Sequence, residues 1–405
     1  MKITFFRILA WLRTLFCAIL FLVCTGCQYP ANSGQETMNT TTQTEVPPKD
    51  SAVESIEKLT EEETLSAEKQ LLMERQEYLA GVTYRHFVLT GEAKPYYMGR
   101  WFEKDIDGEA HMVTLTDGAH LYFLVENATS FDVNFTVITT MAEPYFAYSI
   151  DGGRPIRQHI SQARVSLPDT GRHTVRIIAD GMTENEGKWD LEKGLAIKSI
   201  VPSDGGNIAG IKPTEPVIFF YGDSITEGVR ALNMSATSDG NSATNAYSWQ
   251  CAEALGVTPY LIGYGASGII MTGSFNTMMN AIDYLSEGRP VEDGVVPDII
   301  VVNHGANDGG QDSVIFEEAL METLSHLRQK YPDAPIVYLI PFNQAHAAII
   351  ANVIPNIENA YVVETEQWKI RYTDGLHPNA VGAKAAGENL AAELKLLFGE
   401  EFFNP

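Results

Sequence analysis

Cysteine is scarce in this chain: four in 405 residues, of which Cys17, Cys24 and Cys27 all fall in the first 27. No disulfide framework can hold a protein of this length on that supply. Cys251, between Trp249 and Ala254 on a helical pattern, reads as a small buried apolar residue. Basic residues are short too. Twenty-eight Lys and Arg face 52 Asp and Glu, a formal net charge of −24. That balance repels phosphate backbones and excludes nucleic acid as a partner. His86, His111, His120, His159, His173, His326 and His346 are scattered without zinc-like spacing, so no metal is implied. The glycines at 205–210 are not followed by Gly-Lys-Ser/Thr, which removes a phosphate loop. No cofactor is called for. What is present is ordinary globular composition, 45% hydrophobic and 20% charged, over a length that suggests two folded domains with appendages.

The N-terminus reads as an address. Lys2, Arg7 and Arg13 precede an apolar run, Leu15 to Val23, too short for the roughly 20 residues of a membrane span but suited to a secretory signal. Cys24-Thr25-Gly26-Cys27 resembles the lipobox of bacterial lipoproteins, although Cys24 stands where Leu is usual. The resemblance implies cleavage after residue 26, a lipid on Cys27, and an exported chain anchored to the outer face of a bacterial membrane. A plain signal peptide cut nearby is the rival reading. Residues 27–56 are polar and form a flexible tether by composition. Residues 57–81 follow as a lead-in helix, with Leu65, Leu71, Leu72, Tyr78 and Leu79 at partly helical spacing.

Two blocks of different period come next. Over 82–212 the apolar runs are short, β-branched or aromatic, and punctuated by Gly, Asp and Asn. Leu121 to Val125, Tyr145 to Ile150 and His173 to Ile178 are examples. That pattern predicts an antiparallel β-sandwich. Over 213–405, unbroken apolar runs at 217–220, 259–262, 298–303, 336–340 and 360–363 alternate with helical segments at 245–255, 314–330 and 380–398. Runs without polar alternation suit parallel strands covered on both faces, hence a three-layer α/β domain. Ligands of such domains bind beyond the carboxyl ends of the strands.

Those ends carry chemistry. The first run leads into Gly222-Asp223-Ser224, the second into Gly263-Tyr264-Gly265-Ala266-Ser267-Gly268, and the third into Gly305-Ala306-Asn307-Asp308. The last is followed by Asp374-Gly375-Leu376-His377 before the C-terminal helix. Taken together this is an inventory for acyl transfer: nucleophile, oxyanion donors, base and orienting acid. The four patches, in this order, resemble the four blocks of the SGNH (GDSL) hydrolases, serine esterases with a flavodoxin-like fold. The preceding region, with Met98-Gly99-Arg100-Trp101 and Asp151-Gly152, resembles the jelly-roll domain of family-2 carbohydrate esterases, two-domain acetylesterases that act on sugars. The family pattern is departed from at Gly263, often Asn, and at Ala306, often Thr.

The resemblance implies Ser224 as nucleophile, His377 as base and Asp374 as its orienting acid. Some family-2 esterases lack that acid and use a backbone carbonyl. It implies an oxyanion hole from the N–H groups of Ser224 and Gly268 and the amide of Asn307. An imidazole near pKa 6.5 suits both taking and returning the proton. Asp223 and Asp308 read as loop-stabilising carboxylates and His304 as a packed loop histidine. Trp368 and Tyr264 are the candidate walls for a sugar. Singly, Ser224 could be a helix cap, Asn307 a turn residue and His377 a helix lead before Pro378. The expected activity is removal of acetyl groups from an acetylated carbohydrate through an acyl-serine. One rival is a lipid, aryl or thioester acylhydrolase, with Met271, Phe275, Met278 and Met279 lining an apolar channel. Another is a non-catalytic glycan-binding lipoprotein, which would have no use for a base beside a serine.

Overall fold

The computed structural model describes residues 87–403, so the expected signal segment, Cys27, the tether and the lead-in helix lie outside the described residues. Residues 87–213 form two antiparallel sheets. One runs in the order 87–89, 207–213, 120–126, 173–181, 145–150, 156–159, with 96–98 also pairing on 120–126. The other runs 101–106, 109–114, 195–202, 130–137, 164–166.

The larger sheet is buried on both faces, and its residues divide with a period of two. Leu121, Phe123 and Val125 face the smaller sheet, as do Val175, Ile177 and Ala179 on the neighbouring strand. Tyr122 and Ile178 pack instead into the two cores of the following domain. The continuous apolar run Leu121 to Val125 thus serves two cores.

The second domain is built on five parallel strands in the order Thr258–Gly263, Val217–Gly222, Ile299–Asn303, Ile336–Leu339, Ala360–Val363. In chain order this is 2-1-3-4-5, a doubly wound sheet whose direction of winding reverses between its first and third strands. Phe219, Tyr221, Ile300, Val302, Ile336 and Tyr338 face one core, with the helices Met278–Asp283, Ser313–Lys330 and Ala347–Val353 on that side. Ile218, Phe220, Val301, Val337 and Leu339 face the other, under the helices Tyr247–Leu255 and Ala380–Phe398. Burial on both faces accounts for the unbroken apolar runs of the sequence.

The two domains are joined by buried polar contacts. Arg100 donates to the carbonyls of Tyr284 (2.8 Å) and Ala281. Asp180, at the end of a sandwich strand, accepts from the Thr244 N–H (2.8 Å) and the Ser242 hydroxyl (2.9 Å). Lys188, in the sandwich, is ion-paired to Glu227 in the α/β domain, and both side chains are inaccessible to solvent. Burial drives the neighbouring Asp117 carboxyl well above its ordinary range.

Removing one member of a buried pair strands the other charge and costs about 3–5 kcal/mol. Lys188→Met should therefore lower unfolding stability by that amount in urea titration. The double change Lys188→Met with Glu227→Met should recover most of the loss. A double variant as unstable as the sum of the singles would show the two groups to be uncoupled.

Candidate active site

The strand Val217–Gly222 ends in Asp223, whose carboxylate accepts the Ile225 N–H at 2.9 Å and caps the four-residue helix Ser224–Glu227. That cap is the local reason Ser224 stands at the strand end, at the reversal point of the sheet. The helix stops at Gly228, which takes the left-handed φ of +88°. His377 arrives from the other side of the domain, in the turn before the helix Ala380–Phe398. Its Nε2 lies 2.9 Å from the Ser224 Oγ, with both residues 5% exposed or less.

The Asp-x-x-His spacing closes on itself. Asp374 Oδ1 accepts the backbone N–H groups of Leu376 (3.0 Å) and His377 (2.8 Å). Its Oδ2 meets the His377 Nδ1 at 2.8 Å. A carboxylate folding back on the N–H groups two and three residues ahead is an Asx-type turn, and here it aligns the ring as well. Although burial alone would raise it, the Asp374 carboxyl is held well below the usual carboxylate range by the His377 N–H and ring, the Leu376 N–H and Arg230.

Arg230 escaped the sequence reading. Its guanidinium is paired to Asp374 Oδ2, its carbonyl accepts the Thr373 hydroxyl at 2.8 Å, and its backbone sits at a strained φ of +56°. Nothing in the sequence separates it from a surface arginine, because the partner lies 144 positions away.

Of the three expected oxyanion donors, two are bonded within the chain. The Ser224 N–H takes no acceptor among the described residues. The Asn307 amide lies 2.9 Å from the Ser267 carbonyl and a longer 3.2 Å from Asp223 Oδ2. The Gly268 N–H donates to the Met271 carbonyl at 2.9 Å. The cause is Asp308, whose carboxylate gathers the N–H groups of Ile269, Ile270 and Met271 at 2.8–3.0 Å and curls the chain back on Gly268. Asp308 and Asp223 both act on loops. Burial pushes the Asp223 carboxyl up to about 7, against the Ile225 N–H, with Asp308 adding to the rise. Burial likewise lowers the His304 imidazole to about 4, leaving it neutral in the loop.

Tyr264 is only 1% exposed; it stacks on Phe275 at 4.1 Å and shares a hydrogen bond with the Thr116 hydroxyl at 3.0 Å, which places it in the seam between the domains. The residues expected to line an apolar channel are divided between core and surface. Phe275 and Met278 are core residues, while Met271 is exposed. Trp368 is half-buried, its ring tilted against Phe342 at 6.0 Å. The departure at Gly263 has a steric reason, since a Cβ there would stand 2.6 Å from the Glu227 nitrogen.

Arg230→Gln should loosen Asp374, lowering kcat/KM on any ester substrate by about tenfold. It should also let the Asp374 carboxyl rise. A depressed carboxylate contributes stability above its unfolded pKa and loses it as pH falls through the folded value. The variant should therefore begin to unfold at a higher pH on acidification. An unchanged acid transition, followed by circular dichroism, would separate Arg230 from Asp374.

Residues 220–385 match the model of the GDSL-like Lipase/Acylhydrolase family. A search of curated proteins finds no match. Among solved structures, the chain is similar to a family two carbohydrate esterase from Clostridium thermocellum in complex with cellohexaose, with TM-score 0.61 and 19% identity over 76% of this chain and 99% of that one. It is similar to an acetyl xylan esterase from the rumen bacterium Butyrivibrio proteoclasticus, with TM-score 0.61 and 16% identity over 78% and 98%. A salicylyl-acyltransferase from a tetracycline biosynthetic pathway has TM-score 0.55 and 15% identity over 77% and 98%. At such identities the likeness is one of fold. Residues 220–385 are thus similar to the GDSL-like lipases and acylhydrolases, and with the sandwich before them the protein has the fold of the family two carbohydrate esterases.

Proposed function

We propose that this protein is a serine esterase that removes acetyl groups from a carbohydrate through a covalent acyl-serine. The observation that carries the reading is the unbroken chain Ser224 Oγ, His377 Nε2, His377 Nδ1, Asp374 Oδ2, at 2.9 and 2.8 Å. His377 takes the hydroxyl proton as Oγ attacks the ester carbonyl, and Asp374 stabilises the imidazolium that forms. The Ser224 N–H and the Asn307 amide meet the oxyanion, the amide exchanging its long contact with Asp223 for the new charge. Collapse breaks the bond to the sugar oxygen, which leaves with the proton from His377. Water, deprotonated by the same ring, then attacks the acyl-serine and releases acetate.

A short acyl group fits this reading, in which Phe275 and Met278 are core residues rather than channel walls. The carbohydrate leaving group is supported by fold neighbours that are carbohydrate esterases, one of them holding cellohexaose. Trp368 is the aromatic surface on which we place a sugar ring. The part of the reading at the N-terminus has the chain exported and held to a membrane by a lipid on Cys27.

Ser224→Ala should lose acetate release from acetylated glycans by 10³-fold or more with an unchanged melting temperature. Activity in that variant equal to wild type refutes the serine mechanism. His377→Ala should cost more than Asp374→Asn, as removing a base costs more than removing its orienting acid. Acetyl p-nitrophenyl ester should be cleaved in preference to the octanoyl ester; the opposite preference would favour a lipid substrate. Cys27→Ser should move the protein from the membrane pellet to the soluble fraction, and retention in the pellet would disprove the lipid anchor.

A further inference from the structure

The mechanism leaves one carboxylate beside the nucleophile without work. Glu184 belongs to the loop after the sandwich strand His173–Gly181, yet its side chain lies against Gly265, at the carboxyl end of the parallel sheet. A Cβ on Gly265 would stand 2.2 Å from the Glu184 Cγ and 3.2 Å from its Cδ, so only glycine leaves room for it. The Glu184 N–H is fixed to the Ala236 carbonyl at 3.0 Å. The residue is 9% exposed. Its charge acts on His377 and Arg230, and on Asp223, the residue before the nucleophile.

Every other buried carboxylate near the site is bonded. Asp308 accepts three backbone N–H groups, Asp374 two backbone N–H groups together with a ring and a guanidinium, and Asp180 a backbone N–H, two hydroxyls and a guanidinium. No described residue donates to Glu184, although its oxygens are not among the fully enclosed polar atoms. A carboxylate that is largely desolvated and unbonded is costly to keep unless something else supplies the donors.

We propose that Glu184 is a substrate-binding residue contributed by the sandwich, its two oxygens accepting hydrogen bonds from free hydroxyls of the sugar that carries the acyl group. The inference rests on the carbohydrate esterase reading and narrows it: the preferred leaving alcohol is a polyol with hydroxyls beside the ester. A carboxylate suits that task because it only accepts, and a sugar hydroxyl always has a proton to give. An aryl or fatty alcohol brings no such donor.

The test compares three esters on the full chain: a monoacetylated methyl glucoside, its peracetylated counterpart, which has no free hydroxyl, and p-nitrophenyl acetate. The wild type should favour the monoacetylated sugar over the peracetylated one by tenfold or more in kcat/KM. In Glu184→Gln, and more fully in Glu184→Ala, that preference should fall by about ten- to hundredfold, the worth of hydrogen bonds to a charged group. The loss on p-nitrophenyl acetate should be at least tenfold smaller than the loss on the monoacetylated sugar. Equal losses on all three esters would make Glu184 an electrostatic partner of His377 and overturn the proposal. So would a wild type that treats the two sugars alike. A wild type that cleaves p-nitrophenyl acetate and neither sugar would overturn the carbohydrate reading itself, and this proposal with it. The Gln variant matches Glu in size, so its melting temperature guards against a folding artefact.

Discussion

A lysine sealed away from water between two domains is the constraint around which the site is built. Lys188 comes from the sandwich and Glu227 from the turn of helix that begins at Ser224, and neither side chain touches solvent. A buried cation is tolerated only with a partner placed to meet it. The sandwich therefore cannot move against the α/β domain without exposing or orphaning that charge, and the helix that begins at Ser224 is held by a domain that supplies none of the Ser–His–Asp set. Asp180 with the 242–244 segment, Arg100 with the carbonyls of 281 and 284, and Thr116 with Tyr264 add to the same seam. Proximity of reacting groups is worth most when the supports are rigid, and here the support is a polar interface that fits in one way.

Acidic side chains cluster around Ser224, and two of them are met by cations. Glu227 is paired with Lys188 and Asp374 with Arg230, while burial lifts the Asp223 carboxyl to about 7. In the proposed reaction the negative charge developing on an ester oxygen is met at close range, by N–H donors.

What could be read in the sequence was what local pattern determines. The parallel strands were legible because burial on both faces removes polar alternation, and the Ser, Asn, Asp and His fell at their ends. Spacing put Asp374 and His377 on one short loop, and the contact between them is the structure's addition. The rest depends on contacts between distant parts of the chain. Arg230 and Glu184 look like any solvated charge until the fold brings one to Asp374 and the other to Gly265. Tyr264 sits at a strand end, where a pocket wall is expected, but its neighbour across the seam is Thr116. The edge strands of the sandwich, such as Ile156–His159 and Arg164–Ser166, are too short and polar to stand out.

Gly268 shows how one carboxylate can set the shape of a loop. Asp308 is fully buried and holds three successive N–H groups, which forces the chain after Gly268 to turn within three residues. The turn brings the Met271 carbonyl onto the Gly268 N–H, and the Gly268 carbonyl in turn accepts from Met278 at the start of a helix. Ser274 closes the loop further through its N–H on the Gly265 carbonyl at 2.8 Å. With Phe275 and Met278 in the core, this segment is bound at both ends and beneath. In the proposed reaction, an acyl group long enough to reach this segment would have to open a hydrogen-bonded network rather than rotate one gatekeeping side chain.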